Sequence, residues 1–184
     1  MPITNEHIRA TVDSYLHVHP GERKSLALVL DLLEQGVELA SRKEFRGHVT
    51  AGVVLIGADG RVLQIRHVAL DKWLFPGGHV EAEDTTLADA ALRELVEETG
   101  IDGANVVLTG ELPAHIDVHP IPANINKNEP DHWHIDFRFL FRTTSDIGNL
   151  QTEDVDDFCW RSRGAISDGE LRAHIEAALK PATA

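Results

Sequence analysis

The sequence predicts an α+β fold, built as an α/β/α sandwich around a mixed sheet and extended at the N-terminus by helices. Three observations predict it. Residues 1–45 carry apolar side chains at helical spacing. From Val49 onward, runs of period-two alternation recur. Two further helical patterns, about Thr86 to Thr99 and the last segment, are interleaved with those runs, an order that layers helices on a mixed sheet. We divide the chain into a helical extension, 1–45, and a main domain, 46–184.

The 184 residues suit one domain with an appendage. Apolar residues are 42% and charged residues 26%, which argues against disorder and repetitive fibres. Cys159 is the single cysteine, so an intrachain disulfide and a cysteine-based zinc site are excluded. Seventeen Lys and Arg face 30 Asp and Glu, for a net charge of −13. A binder of nucleic acid polymer normally shows the opposite balance. Excess carboxylate suits a protein that handles phosphates through divalent cations. The first residues lack a basic and an apolar targeting region, and no apolar run approaches the roughly 20 residues of a spanning helix. The expectation is a cytoplasmic protein with no membrane partner.

Taken in order, Thr4 can cap a helix in which Ile8, Val12, Tyr15 and Leu16 share a face. Pro20-Gly21 breaks it. A second helix is expected from about Glu22 to Gln35, stopped by Gly36. This pair carries no readable chemistry and is expected to pack on the main domain or in a homodimer contact. Val49, Ala51, Val53 and Leu55 then alternate, Ala58-Asp59-Gly60 signals a hairpin, and Val62 to Arg66 returns. A loop holds Trp73-Leu74-Phe75-Pro76-Gly77-Gly78. After the helix that Gly100 stops, strands are expected at 106–112, 116–118, 132–142 and 157–161. Pro120 to Asp131 reads as a lid or wall. Ser167-Asp168-Gly169-Glu170 has the pattern of a capping box, opening a helix with Leu171, Ile175 and Leu179 on one face.

The chemistry concentrates in GGHVEAEDTTLADAALRELVEETGI, residues 77–101. Glu94, Glu97 and Glu98 stand at i, i+3 and i+4, so one helix face presents three carboxylates. Like charges at that spacing destabilise a bare helix unless a cation neutralises them. Hard oxygen donors select Mg²⁺, Mn²⁺ or Ca²⁺. A solvated acidic face is the alternative. Leu87, Ala90 and Ala91 on the glutamate side, with Leu92 and Val96 opposite, predict a helix sandwiched between layers, its glutamates lining a cleft.

Arg93-Glu94-Leu95-Val96-Glu97-Glu98-Thr99-Gly100-Ile101 resembles the second half of the Nudix box, the signature of the Nudix hydrolases, and Phe75-Pro76-Gly77-Gly78 with Glu81 resembles its loop. The first half departs. Five residues on from Gly78 stands Asp84, not Glu, and the loop holds one extra residue, so Glu83 or Asp84 takes the box glutamate's place. The resemblance covers about Gly47 to Leu179 and implies a Nudix-type sandwich.

It also implies an activity, the hydrolysis of a pyrophosphate bond in a nucleoside diphosphate derivative by in-line attack of water at phosphorus, with Mg²⁺ or Mn²⁺ as cofactor. Glu94, Glu97 and Glu98 match the family's metal-binding glutamates, and the Gly77 carbonyl its backbone ligand. Arg93 either orients a neighbouring carboxylate or forms an i, i+4 pair with Glu97. The general base is Glu94, or Glu153 or Asp154 from the acidic stretch before the last strand, which also reads as a solvated loop.

His132, His134, Asp136 and Arg138 alternate with apolar residues, giving a strand one polar face. That face is solvent-facing, or it lines the substrate cleft with Arg138, His132 and His134 meeting phosphate or base. A His-x-His zinc site is a third reading, for which spacing dictates no third ligand. Trp73, Trp133 or Phe75 could stack on a base or pack in the core. The substrate is expected to be a small nucleotide-type molecule of open identity. Two rival readings stand: a Nudix-fold nucleotide-binding or regulatory module without turnover, against which the intact glutamates speak, and an isopentenyl-diphosphate-type isomerase, against which the late position of Cys159 speaks.

Overall fold

The computed structural model describes residues 2–125, 128–147, 150 and 155–180. Helix α1 (Asn5–Val18) starts at Thr4, whose hydroxyl accepts the His7 N–H at 3.3 Å. Its Ile8, Val12, Tyr15 and Leu16 stripe is buried. The second helix is shorter than expected: Pro20–Arg23 forms a 3-10 turn and α2 spans Ala27–Glu34. The cause is local. Ser25 Oγ donates to the Glu22 carbonyl at 2.7 Å, competing with the helical ladder, while the Glu22 side chain turns inward to the Tyr15 hydroxyl at 2.6 Å.

The strands follow as β1 (His48–Ile56), β2 (Val62–His67), β3 (Lys72–Leu74) and β4 (Gly77–His79). Helix α3 (Leu87–Thr99) precedes β5 (Val106–Leu108), β6 (His115–Ile121), β7 (His132–Thr143), β8 (Val155–Arg161) and α4 (Gly169–Ala178). Strand β5 ends sooner than predicted. Strand β6 runs further, taking Pro120 and Ile121 from the expected lid. Proline is tolerated there because β6 pairs with β7 alone, at an edge. The remaining loop is pinned by an Asn124–Glu129 bridge.

The strands form one mixed sheet, ordered β3-β2-β1-β7-β5, with β4 on β1, β6 on β7 and β8 on β2. Strand β1 runs parallel to β7, His48 opposite His134 and Gly52 opposite Arg138. Its other edge is shared: β2 takes the C-terminal end at Ile56, and β4 takes Thr50 to Gly52. The Gly77-Gly78 loop is thereby stitched to the middle of the sheet.

Every β1 residue but Gly52 is among the buried apolar or polar side chains, and both faces are covered. Val49, Ala51, Val53 and Leu55 join a core shared with α1, α2 and α3. Val54 and Ile56 join a second core with Leu171 and Ile175 of α4. The N-terminal helices are therefore continuous with the larger core. Asn5 fastens them further, its Oδ1 accepting the Leu39 N–H at 3.1 Å. Asp168, not Ser167, caps α4, accepting the N–H groups of Glu170 and Leu171 at 3.0 Å each. Among the described residues no helix is long and apolar enough to cross a membrane.

Candidate active site

Helix α3 is bracketed as its sequence predicts. Thr86 accepts the Asp89 N–H at 3.0 Å, and Gly100 closes the helix in the left-handed region at φ 63°. The buried stripe is Leu87, Ala90, Ala91, Leu95 and Thr99. Helix α3 itself is covered on one side only, not on both as its apolar pattern predicts. Leu92 and Val96 are only partly buried, and with Asp89, Arg93, Glu97 and Gly103 they line an open hollow of about 370 Å³. One face of α3 packs on the sheet and the other borders solvent. The glutamates sit at the boundary: the Glu94 side chain is 15% exposed and that of Glu97 51%.

Arg93 organises them. Its Nε and Nη2 donate to the two oxygens of Asp84 at 3.1 and 3.0 Å, Nη1 donates to Glu94 at 2.9 Å and Glu97 at 3.1 Å, and Nη2 also reaches the His79 carbonyl at 2.8 Å. Both readings of Arg93 thus describe the same side chain. Asp84 is buried, and its second oxygen also accepts the Glu81 N–H at 2.7 Å; Glu83 is exposed. Of the two acids in the inserted loop, Asp84 therefore faces the arginine.

The loop main chain closes on the other two glutamates. The Gly77 N–H donates to Glu98 Oε2 at 3.0 Å. At Gly78 the backbone lies so near Glu94 that a Cβ would meet its carboxylate at 2.7 Å. Burial raises the Glu94 carboxyl above its ordinary range, partly offset by Arg93. Burial of the Arg93 guanidinium is outweighed by Asp84 and Glu94, so its pKa is raised.

This donor set fits a hard divalent cation. Asp84, Glu94 and Glu97 bring three carboxylates to one guanidinium, and Glu98 stands beside them on the Gly77 N–H. All the donors are oxygens, as such ions require.

A family profile for the NUDIX domain matches residues 46–180. The chain belongs to the Nudix family. A protein from Lactococcus lactis subsp. cremoris named probable DHNTP pyrophosphohydrolase is 33% identical over 123 residues, 64% of this chain and 68% of that one. An RNA pyrophosphohydrolase from Halorhodospira halophila is 46% identical over 66 residues, 36% of this chain and 35% of that one. The matched stretch thus spans about two thirds of the first relative's length and about a third of the second's. Among solved structures, a Nudix hydrolase from Clostridium perfringens aligns with a TM-score of 0.54 at 24% identity, covering 71% of this chain and 95% of that one. A C. elegans Ap4A hydrolase aligns at 0.53 and 18%, covering 70% and 95%. These two similarities show the fold: the curled mixed sheet with helices is a Nudix sandwich.

The other expected site residues of this Nudix chain are scattered. Arg138 is nearly buried between Asp136 at 2.8 Å and Asp117 at 3.1 Å, with its guanidinium 5.9 Å from the Phe75 ring centre. His132 and His134 share its strand face but turn to each other, Nε2 to Nε2 at 3.3 Å. Trp73 lies on β3, at the far end of the strand order from β7, under the Arg161 guanidinium at 5.1 Å. Glu153 and Asp154 lie outside the described residues.

Sequence reasoning missed three residues. Thr50 donates to Asp136 at 3.1 Å across the β1–β7 pair, a contact that needs the strand register. His48 and His79 join the β7 histidines, with His48 and His79 Nε2 atoms 3.1 Å apart. Burial first, then neighbouring charges and rings, lowers the His79 pKa to about 4 and that of His134 to about 3.

Proposed function

We propose that this chain hydrolyses a pyrophosphate bond in a nucleoside diphosphate derivative, a nucleoside di- or triphosphate or a nucleotide conjugate, by in-line attack of water at phosphorus. The supporting observation is the Arg93-centred cluster, which gathers Glu94 and Glu97 on α3 beside the Gly77-Gly78 loop that holds Glu98. The relatives named pyrophosphohydrolases support the reaction class. Glu94, Glu97, Glu98 and the Gly77 carbonyl would hold Mg²⁺ or Mn²⁺. When bound, such ions screen pyrophosphate charge and make water a better nucleophile.

The protein's own tasks are then positional. Arg93 and Asp84 hold the helix acids in place. Gly78 lets main chain approach Glu94. Glu94, or Glu153 from beyond the described residues, takes the proton of the attacking water. Arg138, with His132 and His134 on the same strand face, is the candidate substrate wall, and Trp73, at the far end of the strand order, stands apart from it. Residues 46–184 make the hydrolase domain and residues 1–45 a helical buttress. The high carboxylate content favours a small anionic substrate presented with its cation over a polymer.

The test is product release across a panel of nucleotides with Mg²⁺ and with Mn²⁺, run in ¹⁸O-labelled water. Label in a phosphate product and loss of turnover on chelation are expected. A nucleotide bound tightly but left intact across the panel would replace the enzyme reading with that of a binding module.

A further inference from the structure

The glutamate cluster leaves a second group of donors unexplained. His48 begins β1, His134 is its register partner on β7, and His79 lies on β4 opposite Thr50. Strand β1 sits between the other two, and alternation puts all three rings on one sheet face. One nitrogen from each ring lies within 4.8 Å of the others. His48 is buried, while His79 and His134 are half-buried.

Backbone carbonyls stand beside His48 and beside the neighbouring His132. His48 Nδ1 stands 3.2 Å from the Glu44 carbonyl, and His132 Nδ1 stands 2.8 Å from the Pro130 carbonyl. A carbonyl only accepts, so His48 Nδ1 carries the proton and, in the neutral ring, His48 Nε2 presents a lone pair. Backbone carbonyls in this position orient the imidazoles of metal sites. The separations also suit an ion. Two nitrogens about 2.0–2.1 Å from a tetrahedral centre are about 3.3 Å apart. The His48–His79 pair is at 3.1 Å, and a nitrogen of His134 lies within 4.8 Å of both.

We propose that His48, His79 and His134 bind one divalent transition-metal ion of the zinc type, with His132 beside them as the nearest further imidazole. Imidazole donors select borderline ions, whereas the carboxylates of α3 select hard ones. The two sites therefore differ in the metal they take. They are mechanically joined, because the His79 carbonyl accepts Arg93 Nη2 and Gly77 of the same strand holds Glu98. An ion at the histidines would clamp β4 to β1 and β7 and so stiffen the loop beneath the glutamates.

The test is titration of the metal-free full chain with Co²⁺ under excess Mg²⁺, read by visible absorption. One Co²⁺ per chain with the intense bands of a four-coordinate ion is expected, displaced by Zn²⁺. His48→Gln and His134→Gln should each weaken binding at least about ten-fold. His79→Gln serves as a further variant should His48→Gln not fold by circular dichroism. The double variant Glu97→Gln/Glu98→Gln should keep the bands. So should His174→Gln, which alters the separate group of His19, Glu22 and His174. Absence of intense bands in the unaltered chain overturns the proposal. So do bands that survive the cluster variants, or bands lost with the glutamates or with His174. None of these readouts depends on hydrolysis, so the ion site and the enzyme reading fail separately.

Discussion

Arg93 holds Asp84 with two hydrogen bonds, Nε to Oδ1 at 3.1 Å and Nη2 to Oδ2 at 3.0 Å. The pair joins the middle of α3 to the inserted loop, with Asp84 only 5% exposed. Asp84→Asn should destabilise the fold by about 2 kcal/mol, at the low side for a broken buried pair because Glu94 and Glu97 still hold Arg93. Glu83→Gln, one residue earlier and exposed, should change stability by less than about 0.5 kcal/mol. Urea unfolding of the two variants measures the difference. Equal effects would mean that the loop acids are interchangeable.

The two loop glycines should fail in different ways. A Cβ at Gly77 would meet the Ala51 carbonyl oxygen and Gly52 Cα, both at 2.7 Å. Those atoms belong to the central strand and cannot step aside, so Gly77→Ala should cost about 1–3 kcal/mol of stability. The three atoms nearest a Cβ at Gly78 all belong to the end of the Glu94 side chain. That end can rotate away, so Gly78→Ala should keep its melting temperature within a few degrees while turnover falls at least about ten-fold. Melting curves beside kcat values separate the cases, and parallel losses in both variants would refute the distinction.

These contrasts show where local sequence was enough and where it was not. The bounds of α3 follow from Thr86 and Gly100, and its acid spacing follows from helical period, so the glutamate face was legible. Its exposure was not. Whether Leu92 and Val96 meet another layer depends on what packs over α3, and the structure leaves them beside an open hollow. Asp84 could not be told from Glu83 because a loop has no period to orient its side chains. The histidines show the largest gap. His132-x-His134 was visible, but His48 and His79 reach it only through the parallel β1–β7 register and the return of β4, and both are long-range pairings. Glu22 shows how a tertiary demand overrides propensity: its inward bond to Tyr15 accompanies the break that shortened the expected second helix.

The glutamates should matter to turnover more than to folding. Glu97 is half exposed and crowded by like charge, so Glu97→Gln should leave stability unchanged or slightly higher. The same variant, and Glu98→Gln, should lower kcat by at least about 10², the scale for loss of a charge that holds a catalytic cation. Chelation of the unaltered protein should abolish turnover and Mg²⁺ or Mn²⁺ should restore it. Initial rates with a responsive nucleotide check both statements. Near-normal turnover in both variants would remove the glutamates from the reaction.

Asp117 predicts the acid limb of stability. Its carboxylate accepts a hydrogen bond from His119 Nδ1 at 3.0 Å and lies 3.1 Å from Arg138 Nη2. The His119 bond and then the Arg138 charge, working against burial, lower its pKa from 3.8 to about 2. The folded chain therefore holds this group ionised where the unfolded chain would protonate it. Since the unfolded state binds more protons across that window, its contribution is fully present above about pH 4 and is lost as pH falls toward 2. Asp117→Asn should accordingly be less stable than the unaltered chain at pH 6, and the gap should narrow as pH falls below 4. Urea midpoints at a series of pH values give the comparison. A gap that stays constant through that window would show that Asp117 does not titrate in the folded protein as the His119 hydrogen bond and the Arg138 charge require.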